Sequence, residues 1–240
     1  MEYRNPFGNP TQAQAISVDA GLRAYFLKIY NLMASALAVT GIAALFTANS
    51  PAMLQLFYAV NESGQAVGMS GLGWLVALSP IGLALWMGMG INRMSTSTAN
   101  AIFWAFAVLM GLSLSSVFLM YTGASIARTF FITAGTFGAM SLYGYTTKKD
   151  LTGMGSFLMM GLWGLIIASL VNLFMQSSGL QFALSVIGVF IFIGLIAYDT
   201  QKLKAMYYQF GGSEMAGKVA ILGALNLYMD FINLFLHLLR

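Results

Sequence analysis

The chain has 240 residues, 59% of them hydrophobic and 8% charged, with a formal charge of +4 at neutral pH. Soluble domains carry roughly 25% charged residues, and eleven basic plus seven acidic side chains cannot give a fold of this size a water-facing surface. A soluble domain is therefore excluded, and the absence of cysteine together with a single histidine, His237, excludes thiol chemistry and a multi-histidine metal centre. The basic residues lie singly or in pairs between apolar runs rather than in one patch interleaved with aromatics, so the positive charge does not signal nucleic acid.

Residues 1–28 are polar, carry Glu2 and Asp19, and include Asn5-Pro6-Phe7-Gly8-Asn9-Pro10. They lack the apolar core and small-residue cleavage site of a signal peptide and read as a cytoplasmic N-terminal tail. The remainder, 29–240, reads as one all-α polytopic membrane domain. Apolar stretches of about 20 residues each cross a bilayer as a helix. Seven are predicted, at 29–49, 74–91, 100–121, 126–146, 155–175, 180–198 and 219–239. The connection 50–73 is the long one, and Pro51, Asn61, Gly64 and Gly68 mark it as irregular. Pro80 falls inside the second run, where it should kink the helix or have its freed carbonyl satisfied by a neighbour. No run carries two glycines four apart, so none offers a strict G-x-x-x-G face.

Orientation follows from the lysines and arginines. With the N-terminus inside, the inside segments hold Arg4, Arg23, Lys28, Arg93, Lys148, Lys149, Lys202, Lys204 and Lys218. The outside holds Arg128 and Arg240 alone, and this alternation predicts an N-in, C-out topology.

An aspartate at the centre of a spanning helix costs on the order of 2.5–3.5 kcal/mol on insertion scales, so the acids among the apolar runs carry information. Five of the seven acids lie in tails or connections; Asp199, ending the sixth run, and Asp230, inside the seventh, do not. In the seventh run Asn226, Asp230, Asn233 and His237 recur at intervals of four, three and four, which gathers them into one narrow polar stripe. Such a stripe cannot face lipid, so this helix should be interior or line a wet cavity. The bland alternative is interhelical glue, with the amides bonding to neighbouring backbones. The sixth and seventh runs are joined by a connection at 200–218 and are antiparallel neighbours, which brings Asp199 toward Asp230. Two carboxyls in a poorly solvated site contend for one proton and titrate as a unit. They form a latch, bridged when they share a proton and repelled when both are charged. Lys202 and Lys204 are alternative surface partners for Asp199.

At these residues the sequence resembles the Bax inhibitor-1 family, particularly its bacterial inner-membrane members. The resemblance is carried by Ala197-Tyr198-Asp199-Thr200-Gln201-Lys202-Leu203-Lys204 and by Ala224-Leu225-Asn226-Leu227-Tyr228-Met229-Asp230-Phe231-Ile232-Asn233-Leu234-Phe235. Residues 138–151, Gly138-Ala139-Met140-Ser141 through Asp150-Leu151, add to it. The resemblance implies seven helices with the C-terminal one central, and a pH-sensitive calcium leak gated by paired aspartates. By motif it assigns Asp199 and Asp230 to that pair, and by its spacing to the third span it assigns Arg93, at the end of the second, as the basic residue that can join them. It also implies a membrane-bound AAA protease as a partner of some bacterial members, for which the polar tail would be the handle.

Three functions are therefore weighed, all in a lipid bilayer and without a cofactor. The first is a cation leak, calcium foremost, with Asp199 and Asp230 as a gate and transient metal site and with Asn226, Asn233 and His237 along the path. Two carboxyls are too few for a storage site, because Ca²⁺ takes about six to eight oxygens. The second is a regulator that binds another membrane protein, and the third a proton-coupled transporter of a small solute. An enzyme is not expected: one histidine cannot serve both a metal and a base, and no Ser/His/Asp set or phosphate-cradling loop occurs.

Overall fold

A computed structural model describes residues 12–61, 66–211 and 213–240. The tail segment 5–10 lies outside the described residues, as do Glu62 and Gly64. Each of the seven apolar runs is helical. In chain order the elements are α1 (Gln12–Asn49), α2 (Pro51–Phe57), β1 (Tyr58–Val60), β2 (Ala66–Met69), α3 (Gly71–Gly90), α4 (Thr96–Ser113), α5 (Ser115–Met120), α6 (Gly123–Thr146), α7 (Thr152–Met175), α8 (Ser178–Phe210) and α9 (Glu214–Leu239).

The helix starts are written in hydroxyl side chains. Ser70 accepts from the Gly73 amide at 3.0 Å, Ser95 from Thr98 at 3.0 Å, Thr122 from Ser125 at 3.2 Å and Ser177 from Leu180 at 3.3 Å. Each satisfies one of the amides that a first helical turn leaves unbonded. Helix α7 stops at Gln176, whose backbone is left-handed at φ 50°. Asn172 secures the stop, its side-chain oxygen accepting from the Ser177 amide at 3.1 Å.

Six described helical stretches are long and apolar enough to cross a membrane: 20–49, 71–90, 96–120, 152–175, 178–210 and 215–239. Helix α6 has 24 residues, about 36 Å at 1.5 Å per residue, but Arg128 and a high share of Thr, Ser, Gly and Tyr make it less apolar than the six. The third run is not one continuous helix. It breaks at Leu114 between α4 and α5, where the Ser115 hydroxyl donates to the Leu112 carbonyl at 2.7 Å.

Two expectations need correction. The connection 50–73 is not wholly irregular: it holds α2 and the antiparallel pair β1–β2, with Tyr58 opposite Met69. The presumed connection 200–218 is almost entirely helix. Thr200 to Phe210 contains neither Gly nor Pro, and Leu203 is buried against the bundle, so α8 continues until Gly211. Only residues 211–213 separate it from α9.

Helix α9 is the centre of the bundle. Its most apolar stretch is 72% buried, against 6% for that of α7, and it packs against α1, α4, α6 and α8. Leu227, Tyr228 and Leu234 are fully buried. Tyr228 donates to Thr40 of α1 at 2.7 Å, since the Thr40 hydroxyl is itself donating to the Ala107 carbonyl of α4 at 2.8 Å. One hydrogen-bonded chain thus ties three helices.

Pro80 is accommodated as expected. It has no amide to offer the Val76 carbonyl, and the Ser79 hydroxyl donates to that carbonyl instead, at 2.8 Å. Glycine acts at particular crossings. A Cβ at Gly144 would run into the backbone of Ala197, so α6 and α8 approach there only because the residue has none, whereas a Cβ at Gly138 would meet nothing within 4 Å. Gly144→Ala should lower stability by about 1–3 kcal/mol, and Gly138→Ala should leave it unchanged or raise it, as read by thermal unfolding in detergent. Ser79→Ala, which leaves the Val76 carbonyl without a donor, should cost about 1–2 kcal/mol in the same assay.

Candidate functional site

The site is built by α8 and α9, the antiparallel pair that the short turn at 211–213 holds side by side. Helical spacing brings Asp199 of α8 and Asp230 of α9 to the same level, and their carboxyls lie within hydrogen-bonding reach of one another. Asp230 is 6% exposed, while Asp199 is partly exposed. One Asp230 oxygen, Oδ2, is buried with no hydrogen-bond partner among the described residues. Two carboxyl oxygens in contact repel unless a proton lies between them, and a single proton turns the contact into a short, charge-assisted hydrogen bond.

The surroundings of the pair are mostly apolar or hydroxylic. Thr200, next to Asp199, is fully buried and joins a relay in which Tyr30 of α1 meets Ser141 of α6 at 2.6 Å and Ser141 meets Thr200 at 2.9 Å. The Thr200 hydroxyl donates to the Ile196 carbonyl at 2.7 Å, so the Ser141 hydroxyl donates to Thr200 and Tyr30 in turn to Ser141. This relay positions the turn of α8 that carries Asp199. Charge reaches Asp199 from Lys202, three residues along the same helix. Lys204 turns away, donating to the Tyr145 carbonyl at 2.8 Å with its ammonium 4.8 Å from the Tyr145 ring centre. Arg93 is exposed after the end of α3 and forms no ion pair with either carboxyl among the described residues.

The rest of the polar stripe divides. Asn233 and His237 face a cavity of about 940 Å³ at the end of the bundle where α9 finishes. Its walls come from α5, α7, α8 and α9, and Asn172, Gln181 and Ser185 add polar groups to them. Neither Asn226 nor Asn233 bonds to a neighbouring helix through its side chain among the described residues, so the glue reading has no hydrogen bond to support it. His237 stacks on Phe192 with ring centres 5.6 Å apart, and Gly188 makes room for its imidazole. The cavity reaches inward as far as Phe192 and Asn233. Asn233 is three residues from Asp230, about 4.5 Å along the helix. On α8 the buried Leu195 and Ile196 lie between the level of Phe192 and that of Asp199.

Sequence reasoning named the stripe but not the cavity it faces, because the other walls come from residues scattered over three further helices. The Tyr30–Ser141–Thr200 relay was equally silent, since hydroxyls in apolar runs are common and nothing local marks the three that meet. Among the described residues no three of His, Asp, Glu or Cys converge to hold a metal ion.

With this geometry in hand, comparison with known proteins gives a consistent answer. A family profile described as "Inhibitor of apoptosis-promoting Bax1" matches residues 22–240. An uncharacterised protein of Rickettsia prowazekii is 52% identical over 96% of this chain and 93% of its own length. An uncharacterised protein of Caulobacter vibrioides is 50% identical over 96% and 92%. The inner membrane protein YbhL of Escherichia coli is 44% identical, over 96% of both chains. These matches span the six long apolar helices and both aspartates, and the chain is a multi-pass inner-membrane protein belonging to the Bax inhibitor-1 family.

Proposed function

We propose that the chain is a pH-sensitive cation leak pathway, with calcium as its main ion, gated by the Asp199–Asp230 pair between α8 and α9. The observation that carries this reading is the meeting of the two carboxyls in an otherwise apolar helix interface, one helical turn beyond the floor of the cavity. The cavity supplies a way in from one end of the bundle; its walls are largely apolar, with Asn172, Gln181, Asn233 and several serines to solvate a cation, and Arg240 is also in its lining. The pair closes the way through. While it shares a proton, α8 and α9 are clasped; when the clasp changes, the buried Leu195 and Ile196 of α8 are what must move.

In this reading α6 is a seventh span, its length sufficient and its lower hydropathy due to Arg128 in its second turn. In the same reading the N-terminus and the carboxyl pair face the cytoplasm and the large cavity faces outside, a topology that the distribution of lysines and arginines favours. Calcium binds the pair transiently, because two carboxyls and nearby amides fall short of the oxygens a tight calcium site needs. Arg93 takes no part in the clasped conformation, where the charge of Lys202 reaches Asp199. The reading involves no catalytic step.

The test is Ca²⁺ flux through the purified full-length protein in liposomes across a pH series. Wild type should show a pH-dependent flux, and both Asp199→Asn and Asp230→Asn should make flux independent of pH, since neither leaves two carboxyls to contend for a proton. Unchanged pH dependence in both variants would remove the latch. Asn233→Leu should reduce flux while leaving the pH midpoint where it was, because Asn233 lines the entrance and not the clasp. Saturable uptake of a small solute driven by a pH gradient, with no passive cation flux, would replace the leak by proton-coupled transport.

A further inference from the structure

A second charged site lies at the same end of the bundle as the carboxyl pair, outside the helix interface. A pocket of about 360 Å³ forms between the 147–151 turn and α8, and its lining includes Lys148, Lys149 and Lys202 with a single carboxylate, Asp150. All four of these side chains are exposed. Three ammonium groups gathered around one small pocket repel one another unless something neutralises them.

The one acid does not neutralise them. Asp150 Oδ1 accepts from the Thr152 amide at 2.9 Å, so the carboxylate caps the start of α7. The Thr152 hydrogen bonds hold its carboxyl below the usual carboxylate range, which keeps it ionised and engaged with the cap. No carboxylate lies within 4.0 Å of any of the three ammonium groups among the described residues. The Lys202 ammonium lies 5.9 Å from the centre of the Tyr198 ring, and its charge also reaches Asp199.

The backbone of one wall of the pocket is tied to the helix that forms the other. Gln201 of α8 grips the turn from both sides, accepting from the Leu151 amide at 2.9 Å and donating to the Lys149 carbonyl at 2.8 Å. The Lys149 amide donates to the Thr147 hydroxyl at 3.2 Å. The backbone that carries the two lysines of the turn is therefore held against α8, on which Lys202 lies. The first turn of α7, a helix of 24 residues, opens beside them, its Thr152 amide already engaged by Asp150.

We infer that this pocket is an anion site that takes a phosphate group, held by Lys148, Lys149 and Lys202 at the start of α7. The phosphate is carried either by an anionic phospholipid headgroup or by a small soluble phosphate, and both present the same oxygens to the same ammonium groups. Lys202 is common to this pocket and to the surroundings of Asp199. The site does not rest on the leak reading, because its test reads binding and not flux.

The full-length protein in a phosphorus-free maltoside detergent is titrated with inorganic phosphate and followed by the ³¹P line width of the phosphate. In parallel, the protein is exposed to phosphatidylglycerol and phosphatidylcholine together, and the lipid retained is read by native mass spectrometry. Binding of phosphate, or selective retention of phosphatidylglycerol, is the expected result, and which of the two occurs names the source. The double variant Lys148→Gln/Lys149→Gln should weaken that binding by about tenfold or more, since charge-assisted hydrogen bonds are lost. Lys218→Gln, a charge removed outside the pocket, should leave it unchanged. The replaced side chains are exposed, so unfolding temperature should not move, and retained thermal stability confirms that the loss is local. Failure of both probes to bind wild type, or equal loss in Lys218→Gln, would overturn the site.

Discussion

The structure depends on what becomes of two acids inside an apolar helix bundle. A lone carboxyl at the position of Asp230 would be expensive in lipid and would gain nothing from the leucines and phenylalanines around it. Apposed to Asp199, it has a partner with which to share a proton, and α9 can remain buried in the middle of the bundle with a polar group at its heart. The short turn at 211–213 makes this possible. With only three residues between α8 and α9, the helices cannot separate far, and the aspartates meet at a level set by helical rise.

The remaining contacts keep that level constant. The Tyr228–Thr40–Ala107 chain locks α9 to α1 and α4, and the Tyr30–Ser141–Thr200 relay locks α8 to α1 and α6. Gly144 lets α6 press against the α8 backbone at Ala197, two residues before Asp199. Both acids are therefore carried on rigid helices whose relative position is determined by neutral hydrogen bonds and close backbone packing. In the proposed gate, the protonation state of the pair is what varies within this frame. Helix α7, packed mainly on α8 and largely exposed, is the part of the frame least engaged with the core.

The architecture was legible because lipid imposes a simple rule on composition: long apolar runs must be helices, and all seven predicted runs are. The stripe on α9 was legible for the same reason, since Asn226, Asp230, Asn233 and His237 share one face of an otherwise apolar helix. What escaped the sequence was whatever depends on several helices at once. The large cavity takes Asn172 and Gln181 from two different helices, neither remarkable in its own run. The continuation of α8 to Phe210 escaped because Lys202 and Lys204 end the apolar run without ending the helix. Arg93, by contrast, was named by its place relative to the third run, and spacing along the chain does not specify where an exposed side chain reaches.

The central claim is that Asp199 and Asp230 hold one proton between them. Infrared difference spectroscopy of protein carrying isotope-labelled aspartate, titrated through pH, reads the protonated carboxyl stretch directly. A shared proton predicts one coupled band that titrates in a single step and disappears or shifts in Asp199→Asn and in Asp230→Asn alike. Two bands titrating independently, each removed only by its own substitution, would contradict the account.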